Sequence, residues 1–445
     1  MGEVRIHTIS LGCPKNQVDT EWMLGGFGSA FVNAAEPEDA DVVLINTCGF
    51  IEPAVSESLQ VILDAARDLA DLEPRPCLVV TGCLVSRYGQ ELRAELPEVD
   101  LFLEIGRQGE LARRVRELLV QRESGRAGSE HAPTATAREF PAARLLTTPQ
   151  SFAYLKIAEG CDNRCRFCTI PSIRGPLVSR PEAEILDDVR RCLDQGRKEL
   201  VLIAQDVTAY GRDLGQKSLR GLLEKLAPLH GLEWLRLMYL YSAGLDRDLL
   251  SFLADLGRPF IPYFDIPLQH AHPDILASMG RPFGRDPRSV VEQVRQFFPM
   301  AALRTTFIVG YPGETEERFL ELESFVREAR FMHLGVFPYY PEDGSEAAVL
   351  PDQLPDEVKE ERRDRIMALQ AEISAEVLGE FEGQELDVLV DRAHEEWPGL
   401  FEGRVWFQAP EVDGITYVSG ENVGAGRMVR AVIEESKTYD LVALA

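Results

Sequence analysis

Ten short apolar runs, separated by helix-like stretches, constrain the fold of this 445-residue chain more than any other feature. Four come early: "VRIHTISL" (4–11), "DVVLINT" (41–47), "CLVVTG" (77–82) and "LFLEIG" (101–106). Uninterrupted apolar runs of this length suit strands buried on both faces of a parallel sheet. Helical segments such as "AVSESLQVILDAARDLADL" lie between them, so the region reads as βα units. Six more runs follow: "FAYLKIA" (152–158), "LVLIAQ" (200–205), "WLRLMYL" (234–240), "PYFDIPL" (262–268), "LRTTFIV" (303–309) and "LGVFPYY" (334–340). Six βα units in a row imply a partial, open (βα)6 version of a parallel α/β barrel, with its chemistry at the C-terminal ends of the strands.

Between the two series, residues 121–150 are rich in Gly, Ala, Pro, Ser and Thr and lack apolar periodicity, which marks a linker. After the second series, Val358, Arg362, Ile366, Leu369, Ile373 and Val377 form a largely apolar stripe on a helix over 355–381. From 383 the pattern turns β-like, with "ELDVLV", "LFEGRVWF", "ITYVSG" and "RMVRAVIEES" between Gly-rich turns, as in a small antiparallel β-barrel. The expected architecture is multidomain α/β: an N-terminal parallel-sheet domain (1–120), the linker (121–150), the partial barrel (151–354), a connecting helix (355–382) and the β-barrel (383–445).

The charge balance is unusual. With 47 Lys+Arg against 73 Asp+Glu the formal net charge is −26. This speaks against non-specific attraction to nucleic acid or anionic membrane. It suits a basic protein partner, or it simply confers solubility. No stretch approaches the ~20 apolar residues that span a bilayer, and "MGEVRIHTIS" lacks the pattern of a secretory signal, so a cytoplasmic protein is expected. Thiols stay reduced there, and eight cysteines then point to metal or catalysis rather than disulfides.

Three of them stand in "EGCDNRCRFCTIP" (159–171): Cys161, Cys165 and Cys168. Structural zinc wants four protein ligands; no His lies nearby in sequence, and although a distant residue could supply a fourth, the spacing is wrong for a ribbon or finger. A cubane of four irons normally takes four thiolates. Three thiolates leave one iron open to a small molecule. A second set stands at strand ends: Cys13 closes "TISLGC", Cys48 closes "VVLINTC" and Cys83 closes "LVVTGC". In an open parallel sheet the carboxyl ends of the strands share one rim where ligands bind. The three should therefore converge, again as a three-thiolate set. Cys77 starts its strand and Cys192 lies within a helix, so both read as core.

The spacing C-x3-C-x2-C with an aromatic at Phe167, just after the first strand of a βα series, resembles the radical S-adenosylmethionine family. The resemblance implies that the open iron binds the amino and carboxylate groups of S-adenosylmethionine, whose reductive cleavage yields a 5′-deoxyadenosyl radical. Softer candidates for contacts to that cofactor are Gln205 and Asp206, at the end of the second strand of the series, and Gly310 and Gly313 in "TFIVGYPGETEE". The first pair could equally cap the next segment, and the glycines could serve a tight turn. Gln269, His270 and His272 end the fourth strand, where hydrogen bonding or exposure suits them better than a metal role.

Two triads, one in an α/β domain and one in such a barrel, followed by a small TRAM-like β domain, resemble the methylthiotransferases over nearly the whole chain, on "NTCGF", "TGC" and "GCDNRCRFCTIP". The resemblance implies two [4Fe-4S] clusters: one on Cys161, Cys165 and Cys168 that generates the radical, and one on Cys13, Cys48 and Cys83 that delivers sulfur. One S-adenosylmethionine would supply the methyl group and another the radical, placing a methylthio group where a C–H was. "SLGCPKNQVDTE", "YFDIPLQH" and "IPSIRGPLVSR" resemble the branch that modifies the β-carbon of an aspartate in small-subunit ribosomal protein S-twelve; Val178 departs from it, where a basic residue is expected. Residues 383–445 carry 12 acidic and 5 basic side chains, which suits a basic protein better than RNA. The resemblance further implies a low-potential donor such as flavodoxin, no membrane, and no direct tRNA substrate. A tRNA methylthiotransferase is the near alternative, and a non-catalytic iron–sulfur electron carrier the distant one.

Overall fold

The computed structural model describes residues 3–123, 144–215, 218–281 and 286–445. Most of the proposed linker falls outside the described residues. Two compact units emerge, one comprising Met1–Thr147 with Thr169–Pro176, the other Thr148–Cys168 with Leu177–Ala445.

In the first unit, β1 (Val4–Ser10), β2 (Phe31–Asn33), β3 (Val42–Thr47), β4 (Cys77–Gly82) and β5 (Leu101–Glu104) form an all-parallel sheet in the order β2-β1-β3-β4-β5. Alternation along β3 explains the continuous apolar runs. Val42 and Leu44 enter a core with Met23 and Leu24 of α1 (Pro14–Gly25) and Leu111 and Val115 of α4 (Leu111–Glu123). Val43 and Ile45 enter another with Ile62 and Leu69 of α2 (Glu52–Ala70) and Leu84, Val85 and Leu92 of α3 (Cys83–Glu95). Each such side chain, fully buried, contributes about 1.5–3 kcal/mol. Cys77 belongs to the first core, and Cys192 is likewise buried. The sequence pattern missed β2, a three-residue edge strand that is only partly buried.

The second unit holds an open parallel sheet of six strands in sequential order: β6 (Phe152–Lys156), β7 (Glu199–Ile203), β8 (Trp234–Leu237), β9 (Phe260–Asp265), β10 (Ala302–Val309) and β11 (His333–Pro338). Each overlaps one of the six runs. Helices alternate with them: α5 (Glu182–Asp194), α6 (Leu219–Leu226), α7 (Arg247–Leu256), α8 (Pro287–Phe297) and α9 (Glu316–Ala329). The stripe helix, α10 (Asp356–Gly379), buries Arg362, Ile366, Leu369 and Ile373. Val358 and Val377 are only half-buried, and Leu378 takes the last buried position.

Strands β12 (Glu385–Ala393), β13 (Leu400–Arg404), β14 (Thr416–Ser419), β15 (Met428–Ser436) and β16 (Leu441–Leu444) close a barrel in the order β12-β13-β14-β16-β15. It is not wholly antiparallel: β14 pairs with β16 in parallel, the junction that closes the barrel through the short final strand. This barrel meets the N-terminal ends of the six-stranded sheet through buried polar contacts. Glu199, the first residue of β7, accepts from Arg236 Nε at 2.7 Å and from Arg404 Nη1 at 2.5 Å. Tyr263 Oη donates to Asp413 at 2.6 Å and Tyr154 Oη to the Pro410 carbonyl at 2.9 Å. The opposite, C-terminal ends are left for the cysteine loop.

Candidate iron–sulfur and cofactor sites

The strand order puts a topological switch point between β1 and β3, and ligands of open α/β sheets bind beside such a point at the carboxyl ends. Cys13 follows β1, Cys48 follows β3 and Cys83 follows β4, with Ser10 paired to Asn46 and Thr47 to Gly82 in register. The sheet thus draws the three cysteines to one rim. Cys13 is the N-cap of α1 and Cys83 opens α3, so two thiols sit at positive helix N-termini, which favour a thiolate.

Two glycines let the rim pack closely. A Cβ on Gly12 would lie 3.2 Å from Cys48 Sγ, and one on Gly82 would lie 2.3 Å from the Thr47 carbonyl oxygen. Asn16 ties the rim together: its Nδ2 donates to the carbonyls of Leu11 (2.9 Å) and Thr47 (3.0 Å). Its Oδ1 accepts from Arg174 Nη2 and from the Cys83 thiol (3.7 Å). Ser58 Oγ donates to the Cys48 carbonyl at 2.8 Å. Burial pushes the Cys83 thiol up to about 11 and also raises Cys48. Burial opposes ionisation of Cys13 as well, but Lys15, Arg174 and two backbone N–H groups outweigh it and hold Cys13 below the ordinary thiol value.

The other triad is local. Cys161, Cys165 and Cys168 lie on the loop after β6, which residues from several later segments help to pin. Gly160 (φ +75°) begins the turn, and Cys168 N donates to the Cys165 carbonyl at 3.0 Å. Asn163 Nδ2 donates to Asp206 Oδ2 at 2.9 Å, and Leu177 N to Asp162 at 3.0 Å. Arg166 exchanges backbone bonds with Met279 and Ala347, each 2.9 Å. Phe167 packs on the apolar cluster of Ile275, Met279, Tyr311, Tyr339 and Ala347, so the aromatic of the motif anchors the loop. Arg281 Nη1 donates to Cys165 Sγ at 3.6 Å, and its guanidinium lies 4.3 Å from the centre of the Tyr241 ring. Burial raises Cys161 and pushes the Tyr241 hydroxyl up to about 12.

Around this loop the softer candidates have definite neighbours. Gln205 Nε2 donates to Glu159 Oε1 at 2.7 Å, while its Oε1 is buried without a hydrogen bond. Lys156 Nζ donates to Glu159 Oε2 at 2.6 Å. Asp206 also accepts from Thr208 Oγ1 at 2.6 Å. Gly310 (φ +71°) faces α10, and a Cβ there would fall 2.2 Å from Lys359 Cγ. Gly313 (φ +81°) donates its N–H to the Asp352 carbonyl at 3.1 Å. Both glycines therefore have a local backbone reason. His270 Nδ1 accepts from His272 N, so Nε2 carries the proton and donates to Glu314 at 3.0 Å. His272 caps the turn at Asp274. Gln269 (φ +73°) bridges to β10 through its backbone.

Among the described residues, no three Cys, His, Asp or Glu side chains close tightly enough to grip a single metal ion. In a cubane each thiolate binds a different iron, so the sulfurs stand further apart.

Residues 5–104 match the uncharacterized protein family UPF0004, 155–326 the radical SAM superfamily and 383–445 the TRAM domain. The chain is 56% identical over 443 residues to the ribosomal protein uS12 methylthiotransferase RimO of Oleidesulfovibrio alaskensis, covering 99% of this chain and 100% of that one. Identity to the proteins of the same name from Lawsonia intracellularis and Aquifex aeolicus is 48% and 42%, with at least 96% of each chain covered. The chain belongs to the RimO family. Among solved structures, the cobalamin- and [4Fe-4S]-bound radical S-adenosylmethionine methyltransferase TsrM of Kitasatospora setae shares the fold, with a TM-score of 0.53 at 14% identity over 90% of this chain and 81% of that one.

Members of this family are radical S-adenosylmethionine methylthiotransferases, so the enzyme works with [4Fe-4S] clusters and S-adenosylmethionine. The residues fit that requirement. Each triad offers three free thiols, and the orphaned Gln205 Oε1 supplies a polar atom awaiting a partner beside the local triad. Several contributors were not picked out from the sequence: Asn16, Lys15 and Arg174 around one triad, and Glu159, Tyr241 and Arg281 around the other. "PKN" and "IPSIRG" marked the first group as part of a family pattern without revealing what the residues do. In the second group, Tyr241 and Arg281 gave no signal, because their contacts join positions far apart in the chain, and Glu159 stood in the cysteine stretch without its role being evident.

Proposed function

We propose that this enzyme places a methylthio group on the β-carbon of one aspartate of ribosomal protein uS12, with Cys161, Cys165 and Cys168 holding the radical-generating cluster and Cys13, Cys48 and Cys83 the sulfur-delivering one. The observation that carries the assignment is the register of β1, β3 and β4, which aligns three cysteines from separate strands on one rim. When bound, the clusters and S-adenosylmethionine supply a hydrogen-abstracting radical, a sulfur atom and a methyl group. A radical is needed because the C–H to be replaced is far too weakly acidic for an ordinary base.

The chain's own residues do the holding. In this reading Asn163, Asp206 and Phe167 fix the loop so that its thiols face a common point. Gln205 and Asp206 offer polar atoms to S-adenosylmethionine, and the turn from Gly310 to Gly313 ends the strand beside which its adenine would lie. Arg281 and Tyr241 lie against Cys165 and orient that thiolate. The six-stranded sheet, closed at its N-terminal end by the β-barrel, leaves its C-terminal end for the substrate side chain.

The acidic β-barrel, with 12 carboxylates against 5 basic groups, favours a basic protein over tRNA as the partner. No helix among the described residues is long and apolar enough to cross a membrane, in keeping with a cytoplasmic enzyme that meets ribosomal subunits and a low-potential donor such as flavodoxin. The test is anaerobic reconstitution followed by mass spectrometry of uS12, small subunits and an anticodon stem-loop. Methylthiolation of the uS12 aspartate is expected. Modification of the stem-loop alone would favour the tRNA reading, and no deoxyadenosine with either would leave only an electron carrier.

A further inference from the structure

Arg174 belongs to the segment Thr169–Pro176, which groups with the first unit although Cys168 of the local triad ends just before it. It is one of the largest fully buried side chains of the protein. Its Nη2 donates to Asn16 Oδ1, the same oxygen that accepts from the Cys83 thiol, and its Nη1 donates to Asp19 Oδ2 at 3.1 Å. A buried cation beside three thiols is costly unless something anionic rests against it. Asp19 supplies one charge. A cluster held on the three thiolates would supply more, and the Cys83 thiol shares the Asn16 oxygen with the guanidinium.

We propose that Arg174 is a positioning residue that sets the reduction potential of the cluster on Cys13, Cys48 and Cys83 by holding one buried positive charge against it. The proposal rests on the assignment of that triad as a cluster site. The physical reason is simple: adding an electron makes the cluster more negative, and a nearby fixed cation in a poorly screened interior favours that state. The motif "CTIPSIRGP" would thus serve both clusters, carrying a ligand of one at Cys168 and the counter-charge of the other at Arg174.

The experiment uses the full chain with Cys161, Cys165 and Cys168 replaced by Ala, reconstituted with iron and sulfide, so that one cluster remains. About four irons per chain tests the cluster assignment itself. The midpoint potential, followed by electron paramagnetic resonance, tests Arg174. In Arg174→Met the cluster should be harder to reduce, with the reduced-to-oxidised ratio falling about tenfold at a fixed potential, or about 59 mV for a one-electron couple. Arg174→Lys, which keeps the charge, should stay near the parent. An unchanged potential in Arg174→Met at full iron content overturns the proposal. If Arg174→Met takes up no iron, Asp19→Asn decides: removing the opposing carboxylate should make the cluster easier to reduce, and no change overturns the proposal.

Discussion

The two triads reach the same donor set by opposite routes. Cys161, Cys165 and Cys168 lie within eight residues of chain, whereas Cys13, Cys48 and Cys83 are spread over seventy-one. The first is a property of one loop, held in shape by side chains from strand ends around it. The second is a property of a sheet and exists only when β1, β3 and β4 pair in register. A one-residue slip of any of these strands would turn its side chains to the opposite face and carry its cysteine out of the set. The dispersed site is therefore coupled to the folding of its unit, and the local site far less so.

Removing ligands should produce the largest effects and separate the two roles. Ala at Cys161, Cys165 or Cys168 is expected to abolish deoxyadenosine formation altogether. Ala at Cys13, Cys48 or Cys83 should spare that cleavage and abolish sulfur insertion. Full methylthiolation by any of the six variants would end the assignment of that residue. The next effect breaks the sheet route while leaving every thiol in place. Gly82→Ala sets a methyl 2.3 Å from the Thr47 carbonyl oxygen at a φ of +106°, which L side chains rarely adopt. The β4 rim must shift, and iron content should fall from about eight to about four per chain. Deoxyadenosine formation should persist, and its loss would mean that the two sites are not independent.

The same contrast governs what could be read from sequence. All six strands of the second sheet were legible because each is a buried apolar run, and the local triad was legible because its spacing is itself the signal. The dispersed triad needed one physical step, that parallel strands end on a common rim. Arg174, Tyr241 and Arg281 needed contacts that no spacing encodes. Edge strand β2 and the closing strand β16 were missed; β2 is three residues long and only partly buried, too little to form an apolar run. The parallel pairing of β14 with β16 was hidden for a related reason: pairing direction depends on topology, and the composition of those strands is neutral to it.

A smaller effect sharpens the comparison at single hydrogen bonds. Asn16→Ala leaves the Leu11 and Thr47 carbonyls without their side-chain donor at the rim. A lost buried partner of this kind costs about 1–3 kcal/mol. Urea unfolding should show that loss together with weaker iron retention at the dispersed site. At the local site, Tyr241→Phe removes only a hydroxyl near Cys165. The hydrogen bond at stake goes to a thiolate when the cluster is bound and is worth about 1.5–3 kcal/mol, so cleavage should slow by about ten- to a hundredfold.

The smallest effect lies within the dispersed triad. In the iron-free chain the three thiols share a rim but not an acidity. Burial holds Cys83 up near about 11, whereas Lys15 and Arg174 bring Cys13 below the ordinary value despite its burial. Alkylation follows the thiolate fraction, which rises with pH and is always greater for the thiol of lower pKa. At pH 8, iodoacetamide should therefore label Cys13 before Cys83, with the gap narrowing as pH is raised. Lys15→Met withdraws one of the two charges and should slow labelling of Cys13 while leaving Cys83 almost unmoved. Equal labelling of the two thiols by peptide mapping would mean that the charges around Asn16 do not reach Cys13, and that the rim is electrostatically uniform.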